Sequence, residues 1–267
     1  MSAHRFFLSG HLPADADECV PLAADDVRHA VAALRVRPGE IIDVVDPDGR
    51  VWSLLVSRAS AEGVFGVVQG EAVQAPQPHV ALFQGVAKGE KMDDIVRHAV
   101  EIGADQVVPL ITGRSIVKLD ARKRVDRGER WRRVARAAAK QAKRTAVPDV
   151  LDPVDLRGAL PLFSSYDAVI VLWEEHEGAG LLTVLASLNV NPTTRLALVV
   201  GPEGGFSGEE IDLLSGAGAR AASLGVNILR TETASLVALA LAMASLGGLG
   251  GSGGLGGISG GLGSSGD

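Results

Sequence analysis

Apolar and polar positions alternate along this chain in two different ways. Through residue 73 the apolar residues fall in short runs rich in Val, Ile and Phe, separated by turn residues. Residues 5–8, 40–45, 51–58 and 64–73 are predicted strands on this basis. Val27, Ala30, Val31 and Leu34 sit at helical spacing and predict a short helix over 25–35, ended by Pro38-Gly39. Asp46-Pro47-Asp48-Gly49 carries the residues that a tight turn demands. Several short strands with such punctuation suggest a small barrel.

Beyond a linker at 74–79, marked by Pro76 and Pro78, strands and helices take turns. Residues 80–84, 106–111, 168–173 and 196–200 are almost wholly apolar, as strands buried on both faces are. Helical periodicity appears over 92–102, with Ile95, Ala99 and Ile102 on one face. It appears again over 129–144, where Trp131, Val134, Ala135, Ala138 and Ala142 form the stripe and Arg132, Arg133, Arg136, Lys140 and Lys143 lie outside it. This pattern predicts an α/β domain over 80–246 with a mainly parallel sheet. Residues 247–267 are Gly, Ser and scattered Leu, and are expected to be disordered.

Composition is that of an ordinary globular protein: 46% hydrophobic and 22% charged over 267 residues. The single cysteine, Cys19, cannot form an internal disulfide, and the opening residues lack the apolar run of a signal peptide, so a cytoplasmic location is expected. The longest charge-free apolar stretch, 234–246, is too short to span a bilayer. The net charge of −6 hides an asymmetry, because 13 of the 26 basic residues lie between 114 and 144 beside only three acids. A patch of one sign in an acidic protein suggests a polyanion site. The six histidines are scattered, and neither His98 nor His176 has a ligand-like partner pattern, so no metal is expected.

Two segments carry the chemistry. In the first, the strand 196–200 runs into Gly201-Pro202-Glu203-Gly204-Gly205-Phe206, and Ser207 with Glu210 forms a capping box. Glycines beyond the carboxyl end of a parallel strand let backbone approach a ligand. The spacing is neither a dinucleotide fingerprint nor a phosphate-binding loop, and Glu203 disfavours a phosphate. The second segment is Leu224-Gly225-Val226-Asn227-Ile228-Leu229-Arg230-Thr231-Glu232-Thr233-Ala234, where a strand end leads into the last helix and Thr231, Glu232 and Thr233 suit a helix N-terminus.

Together these segments resemble the RsmE family of ribosomal RNA methyltransferases, of the knotted SPOUT class. Gly89-Glu90-Lys91-Met92, Glu101-Ile102-Gly103, Val117-Lys118-Leu119, Gln141-x-x-Arg144-x-x-Val147-Pro148 and the opening His4-Arg5-Phe6-Phe7 fit as well, so the resemblance covers about residues 1–246. It implies a PUA-like RNA-binding barrel over 1–73, a trefoil-knotted methyltransferase domain, a homodimer, and S-adenosylmethionine as cofactor. The reaction implied is methylation of N3 of one uridine in 16S ribosomal RNA of the small subunit. Val200, Gly201, Pro202, Gly204, Gly205, Leu224, Gly225, Ile228 and Leu229 would hold the cofactor, and Arg230 would sit at the reaction centre.

Uridine N3 must lose a proton as it attacks. A cation beside the uracil carbonyls, here Arg230, would stabilise the developing charge, and Glu203 is the nearest carboxylate to take the proton or orient the base. N3 lies on the pairing edge, so the target must be unpaired or flipped out. The candidate RNA contacts are Arg5, Lys88, Lys91, Arg114, Lys118, Gln141 and Arg144. This chain has Val226-Asn227 where the family usually has Pro followed by Arg or a similar residue, and Lys140 where an acid often precedes the glutamine matched by Gln141. The alternatives are a SPOUT enzyme acting on another RNA, and a non-catalytic ribosome-assembly factor, which the altered Val226-Asn227 would favour.

Overall fold

The computed structural model describes residues 4–12, 20–72, 77–115 and 120–249. The expectations for Lys118 and Cys19, for the start of the linker and for the tail beyond 249 lie outside the described residues. The chain divides into two units. One gathers residues 1–75 and 139–147, the other 76–138 and 148–267.

In the first unit β1 (Arg5–Phe7), β2 (Ile41–Val45), β3 (Val51–Ser60) and β4 (Gly63–Ala72) form a sheet in the order 1-2-3-4. The segment 20–22 joins its two ends. Leu8 bridges Leu22, Ser9 N–H donates to Pro21 O at 2.7 Å, and Val20 N–H donates to Val64 O at 2.8 Å. The four-stranded sheet is thereby closed into a small barrel. Phe6, Leu8, Val20, Ile42, Val44, Leu54, Val56 and Val64 fill its interior, together with Ala30 of the helical stretch α1 (Ala24–Arg28) and its wider final turn His29–Ala33.

The β2–β3 turn is held by Asp46. Its Oδ1 accepts the N–H groups of Asp48 and Arg50, both at 2.9 Å, and its Oδ2 accepts Trp52 Nε1–H at 2.9 Å. Burial acts to raise the carboxyl pKa, but these bonds outweigh it and hold the group below its usual value. Residues 139–147 join this unit through local contacts. Arg5 ion-pairs Asp43 and donates to the carbonyl of Lys143, while Lys140 meets Asp26.

The second unit is an α/β domain. Its sheet runs β11 (Arg220–Ala222), β9 (Ala168–Leu172), β10 (Arg195–Val200), β5 (His79–Gly85), β6 (Gln106–Ile111), β7 (Asp149–Val150), with β8 (Val154–Asp155) also on β6. Every pairing is parallel. Side chains alternate across such a sheet. Ala81, Phe83, Val108, Leu110, Val169, Val171, Ala197 and Val199 build one core with Phe163, with Leu156 and Ala159 of α4 (Leu156–Ala159), and with Ile211 and Leu214 of α6 (Gly208–Gly216). On the other side α7 (Thr231–Ser245) packs on β5 and β10 and between α2 (Lys91–Ile102) and α5 (Leu181–Ser187). Both faces are covered, which is why the central strands read as continuous apolar runs.

The basic helix, α3 (Ala121–Gln141), starts eight residues before the expected 129 and ends three residues before 144. Its start is fixed by Asp120, whose Oδ1 accepts Lys123 N–H at 2.9 Å.

Candidate functional site

The strand register brings the two sequence segments together. Leu172 pairs with Val200 and with Ala222, so the chain leaves β9, β10 and β11 side by side at their carboxyl ends. There a cavity of about 400 Å³ opens, a size that suits a small-molecule cofactor. Of the expected cofactor residues, Val200, Gly201, Pro202, Gly205, Leu224, Gly225, Ile228 and Leu229 line it, as do Glu203 and Arg230. Gly204 stands apart: it backs onto Arg114, and its carbonyl accepts Arg114 Nη1–H at 3.0 Å.

The glycine loop is packed too closely for side chains. A Cβ on Gly205, whose φ is +65°, would lie 2.4 Å from Glu174 Oε1, and a Cβ on Gly201 would meet Gly205 backbone at 3.1 Å. Gly225, at φ +114°, has nothing within 4 Å of such an atom, so its backbone is open to a ligand. The cavity therefore offers glycine backbone from two loops, the arrangement a bulky cofactor needs for close approach.

A buried polar knot ties the floor. Gln84, at the end of β5, donates from Nε2 to Thr231 Oγ1 at 2.9 Å and to Gly85 O at 2.9 Å. Thr231 Oγ1–H donates to Gly201 O at 2.6 Å, and Ser235 Oγ–H donates to Thr231 O at 2.8 Å and also reaches Gln84 Oε1. Each of these groups is buried, so each needs its partner. The network fixes the start of α7 against the mouth of the glycine loop. Arg230 occupies the position before the helix, with φ −63° and ψ 152°, and its side chain is exposed at the cavity rim.

Lys91, which also lines the cavity, places its Nζ 3.3 Å from Glu203 Oε1 and 3.5 Å from Glu232 Oε2, and Lys88 N–H donates to Glu203 Oε1 at 3.0 Å. Burial acts to raise the Glu203 pKa, but the backbone N–H groups of Glu203 itself and Lys88, with the Lys91 ammonium, outweigh it and hold the carboxyl below its usual range. These bonds tie the Glu203 carboxylate to Lys88 N–H and to Lys91 at the edge of the cavity.

Aspartates outside the basic stretch pair with part of its charge. Arg124 pairs with Asp155, Arg130 with Asp93 and Arg132 with Asp152. Within the stretch Lys123 pairs with Asp120, and in the barrel unit Lys140 pairs with Asp26. Arg122, Lys123, Arg132 and Arg133 are exposed.

Arg5 is buried instead of open to RNA, with 7% of its side chain exposed and its charge against Asp43. Lys91 makes the pairs just described. Lys88, Arg114 and Gln141 are exposed, and Arg144 is half-buried. His11, Asp46 and Asp48 bring one possible metal-ligand atom each within 4.8 Å of one another. Both oxygens of Asp46 already accept N–H donors, so the group serves as the staple of the β2–β3 turn.

Three residues not singled out from the sequence, Trp173, Glu174 and Ser223, also line the cavity, beside Thr231 and Ala234 of the second segment. Val226 and Ile228, at the tip of the second loop, are 100% and 87% exposed. The capping box stands: Ser207 Oγ accepts Glu210 N–H and Glu210 Oε2 accepts Ser207 N–H, while Glu210 Oε1 takes Gly113 N–H at 2.7 Å.

Residues 74–243 match the RNA methyltransferase domain family, and residues 22–69 match the RNA methyltransferase PUA domain family. Ribosomal RNA small subunit methyltransferase E of Bacillus subtilis is 31% identical over 223 residues, covering 82% of this chain and 87% of the relative. The protein of that name from Mycobacterium tuberculosis is 34% identical over 221 residues, covering 80% and 82%. Among solved structures, the same methyltransferase from Neisseria gonorrhoeae bound to S-adenosyl methionine aligns with a TM-score of 0.78 at 29% identity, covering 90% of this chain and 96% of that one. A Legionella pneumophila protein in complex with its bound cofactor SAM also aligns at 0.78, with 28% identity, covering 91% and 98%.

Proposed function

Because this chain belongs to the family of ribosomal RNA small subunit methyltransferase E, we propose that it transfers a methyl group from S-adenosylmethionine to N3 of a uridine in 16S ribosomal RNA. The observation that carries this reading is the cavity, walled by the Gly201–Gly205 and Leu224–Leu229 loops with Arg230 at its rim. The residues fit the cofactor by the size of the cavity and by the backbone left uncovered at Gly225. S-adenosylmethionine supplies, when bound, an electrophilic methyl on sulfur.

The protein supplies position and charge. The two glycine loops hold the donor, and the Gln84–Thr231–Ser235 network keeps them in register. Glu203, clamped by Lys91 and Lys88 N–H, fixes the first loop. Arg230 stabilises the negative charge that gathers on the uracil carbonyls as N3 loses its proton. Lys88, Arg114, Gln141, Arg144 and the exposed arginines of α3 contact RNA phosphates, with affinity falling as salt rises.

The protein acts as a cytoplasmic homodimer. The wholly exposed Val226 and the nearly exposed Ile228, with Leu182 of α5 and Leu236 of α7, supply apolar surface for a second copy to cover.

The test is methyl transfer from labelled S-adenosylmethionine to small ribosomal subunits from a strain lacking this protein, with the nucleoside identified by mass spectrometry. N3-methyluridine at one site is expected. Label on another nucleoside or another RNA would replace the substrate. No label from a folded preparation would leave a binding factor.

A further inference from the structure

We infer that Glu174 makes this cavity prefer the cationic methyl donor over its demethylated product. The inference rests on the reading of the cavity as the S-adenosylmethionine site. Four ionisable side chains line it: Lys91, Glu174, Glu203 and Arg230. Lys91 and Glu203 neutralise each other, and Lys91 also meets Glu232. Among the described residues no ion pair or hydrogen bond engages the Glu174 carboxylate, although it does not stand clear of the wall. Its Oε1 lies so close to Gly205 that a Cβ there would approach to 2.4 Å.

The register explains the placement. Leu172 pairs with Val200, so Trp173 and Glu174 leave the sheet beside Gly201 and Pro202. The uncommitted carboxylate therefore rests on the glycine loop that meets the ligand.

The other uncommitted charge lining the cavity is the Arg230 guanidinium, which repels a sulfonium. Glu174 is the lining group that offsets it. Methyl transfer removes one positive charge from the ligand, because sulfonium becomes neutral thioether. A carboxylate in the wall thus binds the donor more tightly than the product and favours product release. Coulomb attraction over a few ångströms at a solvated site corresponds to about three- to tenfold in affinity.

Calorimetric titration of the full chain with S-adenosylmethionine and with S-adenosylhomocysteine tests this. Glu174→Gln should weaken the donor about three- to tenfold and leave the product within about twofold. Glu175→Gln, an exposed neighbour that does not line the cavity, should change neither. Sinefungin, with an amine in place of the methylsulfonium, should follow the donor. Equal weakening of donor and product by Glu174→Gln, or no weakening of either, overturns the inference while leaving the cofactor reading intact. Equal effects of Glu174→Gln and Glu175→Gln overturn it too, in favour of a general field. Wild-type protein that binds neither compound removes the cofactor reading, and the inference with it.

Discussion

Gly85 and Pro202 touch backbone to backbone: a Cβ on Gly85 would lie 2.3 Å from the Pro202 nitrogen. The end of β5 therefore supports the loop that forms the cavity's mouth. Gly85→Ala has to push that backbone aside, and overpacking of this kind costs about 1–3 kcal/mol. Thermal melts should fall by several degrees, and cofactor binding should weaken more than stability alone explains. An unchanged melt and unchanged binding would mean that the loop yields freely.

Thr231→Val keeps the shape of the side chain but removes the hydroxyl between Gln84 and Gly201 O. Leaving those buried groups short of a partner should cost about 1–3 kcal/mol, whereas Thr231→Ser should retain most of the stability. Denaturant titration of the three proteins reads the difference.

Glu203 gives a pH signature. Its carboxyl titrates below the ordinary 4.5 in the folded state. A group with a depressed folded pKa stabilises above its unfolded pKa, and that contribution disappears as pH falls through the folded value. Glu203→Gln should lower the melting temperature by a few degrees at pH 7, and the gap should close as pH falls below the ordinary 4.5 through the lower folded value. If Glu203 were the base, turnover would instead collapse in Glu203→Gln with stability untouched.

Arg230→Ala should fold normally, because the side chain is exposed and makes no cap. Turnover should fall by about a hundredfold or more, in line with loss of one charge-stabilising donor. Near-normal single-turnover rates would take Arg230 out of the reaction.

Tyr166 is the protein's single tyrosine, so its ionisation can be followed by ultraviolet absorbance without overlap. Burial and the nearby Asp105 push its pKa up to about 12, against the opposing pull of Arg195. The raised value means that its contribution to stability is complete below the ordinary 10 and is lost as pH climbs through the folded value. A midpoint near 10 in the folded protein would contradict the packing around it.

Much of this architecture was legible. Residues 106–111 form β6 as read, because an apolar run buried on both faces leaves little latitude. The two glycine segments were recognisable, and the register places them around one cavity. The start of α3 was not legible: residues 121–128 carry one large apolar side chain, Val125, and Gly128 reads as a break. What holds them helical is the Asp120 cap and the Arg124–Asp155 pair, whose partner lies 31 positions away. The same distance in sequence hid Trp173 and Glu174. Nothing local marks them, yet assuming that β9 lies beside β10 would have placed them against Gly201. Asp93, Asp152 and Asp155 lie outside residues 114–144, so the pairs that they make with the basic helix have no mark in its own sequence.

The lining of the cavity, Lys91 aside, begins at Leu172 and ends at Ala234. Domains emerging from a ribosome fold as units, and here the unit's ligand site is assembled last. The barrel closes on segments made early, whereas the cavity must wait for Thr231 to reach Gln84. A chain still being synthesised thus has its barrel before it has a finished pocket, and a copy cut short before α7 would lack the Thr231 that ties Gln84 to Gly201.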